Sequence, residues 1–117
     1  MATRLNVLAV LAVLVVAAPL PAVAEGVSVA EGKALVDLYC ADCHATGLTG
    51  ESREPVAPRF RDLHDRYDVS LLAEALVEGL VTGHEMMPEF EFDPWQADSI
   101  IEYLETLAPN AGDAAAP

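Results

Sequence analysis

The sequence predicts an all-α fold, a single small domain of helices joined by long irregular segments. Three stretches of the 117-residue chain repeat apolar residues at helical spacing, each with capping or breaking residues at its ends. No stretch reads as a β-hairpin, and the segments between the helices carry the prolines, glycines and scattered charges of loops. No internal repeat is visible.

The chain opens on a segment that stands apart from the fold. Arg4 gives a short basic start, Val7–Ala18 is an unbroken apolar run, Pro19 and Pro21 break it, and Ala22–Ala24 are small. That order marks residues 1–24 as a secretory signal peptide, cleaved after Ala24 so that the mature chain begins at Glu25. The apolar run is shorter than the ~20 residues of a membrane-spanning helix. An uncleaved N-terminal anchor is the alternative.

The domain proper is expected over 25–109. Ser28, with Glu31 three residues on, has the pattern of a capping box at the start of the first helix. Ala34, Leu35, Leu38 and Tyr39 follow near helical spacing, and Gly47 and Gly50 close the region. Leu48–Phe60 holds two prolines and reads as a loop. Val69, Leu72, Ala73, Leu76, Val77 and Leu80 predict a second, amphipathic helix ending near Gly83. "HEMMPEFEF" is a second irregular stretch. In the last helix Asp93 is the cap, Pro94 suits the first position, and Trp95, Ile100, Ile101, Leu104 and Leu107 form the apolar side. Pro109 marks its exit, and 110–117 reads as a flexible tail.

Charge narrows the function. Six Lys and Arg stand against nineteen Asp and Glu, a formal charge of −13 that becomes −14 once Arg4 leaves with the leader. Nucleic-acid binding, which needs basic residues against phosphate, is excluded. A charged partner would present a basic patch, although acidity also serves solubility alone. No membrane span is expected after cleavage, and the chain is expected to act as a monomer.

The two cysteines, Cys40 and Cys43, lie in "YCADCHAT" with His44 directly after them. A disulfide here would close a very short loop and stabilise little. A thioredoxin-like dithiol needs strand–helix–strand surroundings, and zinc needs two more ligands, for which His64 and His84 are badly spaced. All three leave His44 without a role. Covalent haem attachment gives it one: residues three and four apart on a helix share a face, so both thiols can meet a haem's vinyl groups while His44 ligates the iron.

With these residues in view, the sequence resembles the monohaem class I c-type cytochromes. "EGKALVDLYCADCHATG" is similar to that family's first helix and haem-binding motif, "VAPRF" to its proline loop, "MMPEF" to its axial-methionine loop, and "SIIEYLETL" to its C-terminal helix. The resemblance implies a small cytochrome c fold of three to four helices wrapped around one covalently bound haem. It implies that the carbonyl of Pro58 orients His44, and that Gly32 and Tyr103 stand where the first and last helices cross.

For the opposite face of the iron the candidates are His64, His84, Met86 and Met87. Pro88 restricts Met87 to extended conformations and stiffens its loop, and by resemblance the methionine of a Met-Pro pair is the axial ligand. Met87 is therefore favoured over Met86, with His84 third. A thioether opposite histidine raises the reduction potential and fills the last coordination position, which suits electron transfer rather than catalysis. Phe60, Leu76, Phe90 and Leu104 are expected as haem-pocket walls, and Arg59 and Arg61 as partners for the propionates or as surface residues. His64 and His84 depart from the family pattern, and the acidity differs from its lysine-ringed mitochondrial-type members.

The expected function is that of a periplasmic single-electron carrier, not an enzyme. The alternative is a dedicated electron-accepting subunit of a periplasmic dehydrogenase or sulfur-oxidising complex. A zinc- or disulfide-stabilised binding module without redox work is the third reading.

Overall fold

Ser28 starts the first helix as its sequence predicts. In the computed structural model its backbone is extended and its Oγ accepts the Glu31 N–H at 3.1 Å, opening α1, Val29–Tyr39. The expected return bond from Glu31 is replaced by one with longer reach. Ser28 N–H donates to Ser99 Oγ in the last helix at 3.2 Å, and that hydroxyl donates to Trp95 O at 2.8 Å. Ser99 is fully buried, so the relay satisfies a polar group inside the helix contact.

The structure describes residues 26–79 and 86–109, together with Ala18. Residues 1–17, 19–25, 80–85 and 110–117, and with them the expected signal peptide and tail, Leu80, Gly83 and the candidate His84, lie outside the described residues. After α1 come 3-10 helices at Phe60–Asp65 and Val69–Leu71, then α2, Leu72–Glu78, and α3, Pro94–Glu105. Among the described residues there is no strand, and no helix is long and apolar enough to cross a membrane.

The buried side of α1 differs from the expected one. Gly32, Leu35 and Val36 are buried, whereas Ala34 and Leu38 are exposed. The cause is the crossing with α3. A Cβ placed on Gly32 would stand 1.8 Å from Ser99 O and 3.0 Å from Tyr103 Cβ. Glycine alone admits so close an approach, and it turns the face around itself toward α3. Helical glycine costs about 1 kcal/mol relative to alanine, and the contact it permits explains its presence.

The second helix also ends earlier than its apolar spacing implies. Glu78 is its last residue because Gly79 takes φ +100°, outside the helical region. The chain then returns to α2 at Phe92, whose N–H donates to Leu76 O at 2.9 Å. At α3, Gln96 Oε1 accepts the Asp93 N–H at 3.0 Å and Pro94 occupies the first turn. Ala97, Ile100, Tyr103, Leu104 and Leu107 are buried, while Trp95 and Ile101 only flank that face. Together with Val36, Leu63 and Val69 they form one core.

Candidate functional site

Where α1 ends, the backbone turns tightly. Cys43 N–H and His44 N–H both donate to Cys40 O, at 3.2 and 2.9 Å. This turn brings Cys40, Cys43 and His44 to one wall of an apolar cavity of about 280 Å³. Both thiols are free. Burial, helped by the charge of Asp37, pushes the Cys40 thiol up to about 11. A redox-active dithiol needs the opposite, a depressed pKa that yields thiolate at neutral pH. Among the described residues no three or more His, Cys, Asp or Glu side chains converge as a metal site.

His44 is fixed from two sides. Its Nδ1 donates to the Pro58 carbonyl at 2.7 Å, and its ring lies 4.8 Å from that of Phe60, centre to centre. Holding the proton on Nδ1 leaves Nε2 as the nitrogen with a free lone pair. The loop that supplies Pro58 is itself tied back: Glu54 N–H donates to Cys43 O, Phe60 N–H to Ala45 O, and Ala45 N–H to Ser52 Oγ. Tyr103 adds a bond from α3, its hydroxyl donating to Thr46 O at 2.6 Å.

The cavity is also lined from α2 and from residues 86–90. Leu72, Leu76, Met86, Met87, Pro88 and Phe90 line it, with Ile100 and Leu104 of α3 behind. Of the two methionines, Met87 is half-buried, whereas Met86 is 66 % exposed and sits at the rim. The expected walls Phe60, Leu76, Phe90 and Leu104 all meet the cavity.

Three of the residues weighed from sequence lie away from the cavity lining. His64 is not at the cavity; its Nε2 donates to Leu104 O at 2.9 Å, a carbonyl at the end of α3 that also accepts the Leu107 N–H at 3.0 Å. Arg59 and Arg61 are not there either. Arg59 pairs with Asp62 at 2.6 Å and Glu51 at 3.0 Å, and Arg61 donates to Gly50 O at 2.8 Å, so both brace the loop following His44. The arginine that does line the cavity is Arg66.

Tyr39, Leu63, Tyr67 and Phe92 are further wall residues that sequence reasoning missed. Tyr39 packs edge-on against Phe90 and Phe92, at 5.8 and 5.4 Å between ring centres. The adjacency of Tyr39 to Cys40 was the available signal, since its neighbour faces the same space.

A family model described as cytochrome c matches residues 29–108. The chain belongs to the cytochrome c family. Comparisons with curated proteins and with solved structures return no match. Family membership brings covalently bound haem c with its iron, and electron transfer through it. The cavity fits that group in its chemistry: apolar walls for the macrocycle, two free thiols three residues apart, an imidazole with its outer nitrogen tied off, and a thioether in the same lining. No buried side-chain nitrogen or oxygen lacks a partner among the described residues.

Proposed function

We propose that the protein is a periplasmic single-electron carrier in which Cys40 and Cys43 tether haem c, while His44 and Met87 ligate its iron. The observation that carries this reading is the placement of His44 and Met87 on one apolar cavity, with His44 Nδ1 committed to Pro58. When bound, the haem supplies a one-electron couple. The protein's part is to hold its ligands still and keep water from the iron. Pro58 fixes the imidazole, Pro88 limits the Met87 backbone, and Phe60, Leu76 and Leu104 supply apolar contact. Were His44 and Met87 both to ligate the iron, no position would be left for a substrate, which favours a carrier over an enzyme. The leader-like order of Arg4, the Val7–Ala18 run and Ala22–Ala24 supports export to the periplasm.

An alkaline pyridine spectrum of the protein purified from periplasm tests this reading. A c-type haemochrome at one haem per chain is expected. Its absence from protein co-expressed with haem-attachment machinery would overturn the assignment.

A further inference from the structure

Charge is divided unevenly along this chain. After the leader, all five Lys and Arg lie between residues 33 and 66, whereas residues 67–117 hold eleven Asp and Glu and no Lys or Arg. The fold turns that division into two unlike sides of the cavity. On the Cys40–His44 side four of the five basic residues are spent locally: Lys33 on Asp37, Arg53 on Asp42 at 4.0 Å, Arg59 on Glu51 and Asp62, and Arg61 near Glu51 at 3.8 Å; the fifth, Arg66, lines the cavity. On the Met87 side no such compensation exists among the described residues. Glu74 and Glu78 stand on α2, and Glu89 reaches to the end of that helix, its Oε1 2.6 Å from the point where a Gly79 Cβ would be.

The same side exposes apolar surface. Leu71 is 73 % exposed at the start of α2, one helical face with Glu74 and Glu78, and Met86 is exposed at the cavity rim. Solvated acids interleaved with apolar contacts are the surface a steered, short-lived complex needs: charge for encounter, apolar area for close approach.

We propose that the redox partner docks on the Met87 side of the cavity, over Leu71, Glu74, Glu78, Met86 and Glu89, and that it is a protein presenting lysines or arginines around an apolar centre. This rests on the electron-carrier reading above. Residues 25–66 set five Lys and Arg against eight Asp and Glu, a net charge of −3, whereas 67–117 carry −11, so encounter is biased by charge toward α2 and the segment 86–91.

The test uses the haem-loaded chain and two probes. The first is tris(phenanthroline)cobalt(III), a tripositive oxidant with an apolar periphery, followed by stopped flow at low salt. The variant E78K/E89K is compared with D42K/D65K, which changes net charge equally on the other side. Oxidation of E78K/E89K should slow about tenfold relative to the parent and that of D42K/D65K much less, with the gap closing at high salt. Equal slowing in both variants, or greater slowing in D42K/D65K, overturns the proposal. The second probe is tetralysine, read by amide chemical shifts without electron transfer. Shifts concentrated on α2 and 86–93 support the proposal, and shifts centred on 40–66 overturn it. Protein lacking a c-type spectrum would instead sink the carrier reading, and the tetralysine shifts would still decide where a cationic partner binds.

Discussion

The Nδ1 of His44 donates to the carbonyl oxygen of Pro58 at 2.7 Å across fourteen residues of sequence. A backbone carbonyl is a fixed acceptor, so the bond sets both the tautomer and the tilt of the ring. Pro58→Gly keeps the carbonyl but frees the backbone that aims it. In the haem-loaded protein this should weaken histidine ligation by roughly 10- to 100-fold, in line with other outer partners of metal-bound histidine. The measurement is the denaturant midpoint for loss of the low-spin absorption spectrum, compared with the midpoint for loss of helix. If the two midpoints fall together by the same amount, Pro58 stabilises the fold without orienting His44.

Met87 and Met86 are neighbours with unlike surroundings, one half-buried on the cavity wall and one at its rim. Met87→Ala should remove the sulfur-to-iron charge-transfer band of the oxidised protein and lower its potential. Met86→Ala should leave the band in place. The reverse pattern in the same two spectra would move the ligand to Met86.

Gly32 leaves no space for a side chain against Ser99 O. Gly32→Ala gains up to about 1 kcal/mol of helix propensity. Forcing a methyl into a packed contact typically costs roughly 1–3 kcal/mol, occasionally more. With backbone rather than a flexible side chain in the way, the cost should win. Urea unfolding should show a net loss of about 2 kcal/mol; a neutral or stabilising result would mean the helices can part freely.

The hydroxyl of Tyr103 gives a pH-dependent contribution. Burial, with a smaller contribution from Asp37, raises this group above the usual phenol range of about 10. The protonated form is therefore the one the fold favours. Its stabilisation is fully present below the unfolded pKa and is lost as pH rises through the higher folded value. Stability measured from neutral pH to beyond 10 should fall in the parent, and Tyr103→Phe should flatten that limb. The variant should also lose about 1 kcal/mol at neutral pH, as the bond to Thr46 O disappears. An alkaline limb of the same steepness in both proteins would assign it to another group.

Much of this was readable from residue order alone, because local rules and global fold agree there. Ser28, Asp93 and Pro94 announce helix starts through chemistry confined to one turn. Cys40, Cys43 and His44 are set together by a single turn of backbone, so their spacing already specifies a shared wall. The early stop of α2 depended on the conformation of Gly79, which apolar periodicity does not record. Apolar periodicity misjudges the face of α1 because Gly32 carries no apolar signal; its place at the crossing with α3, beside Tyr103, was legible only through the family resemblance. Arg59, Arg61 and Arg66 share one composition and one neighbourhood in sequence. Their separate roles follow from three-dimensional reach to Asp62, to Gly50 and to the cavity.

The clasp between Gly32 and Ser99 also bears on the order of assembly. Its halves are 67 positions apart in the sequence, so it is a non-local contact whose loop-closure entropy must be met before it gives any return. Until the final helix has emerged from synthesis or export, α1 has nothing to bury its inner face against. During that interval the chain around Cys40 and Cys43 has no closed back wall from Ile100 and Leu104, and the thiols stay open to covalent attachment. Closure of the last helix then adds the wall formed by Ile100 and Leu104, so the C-terminal segment completes the site last.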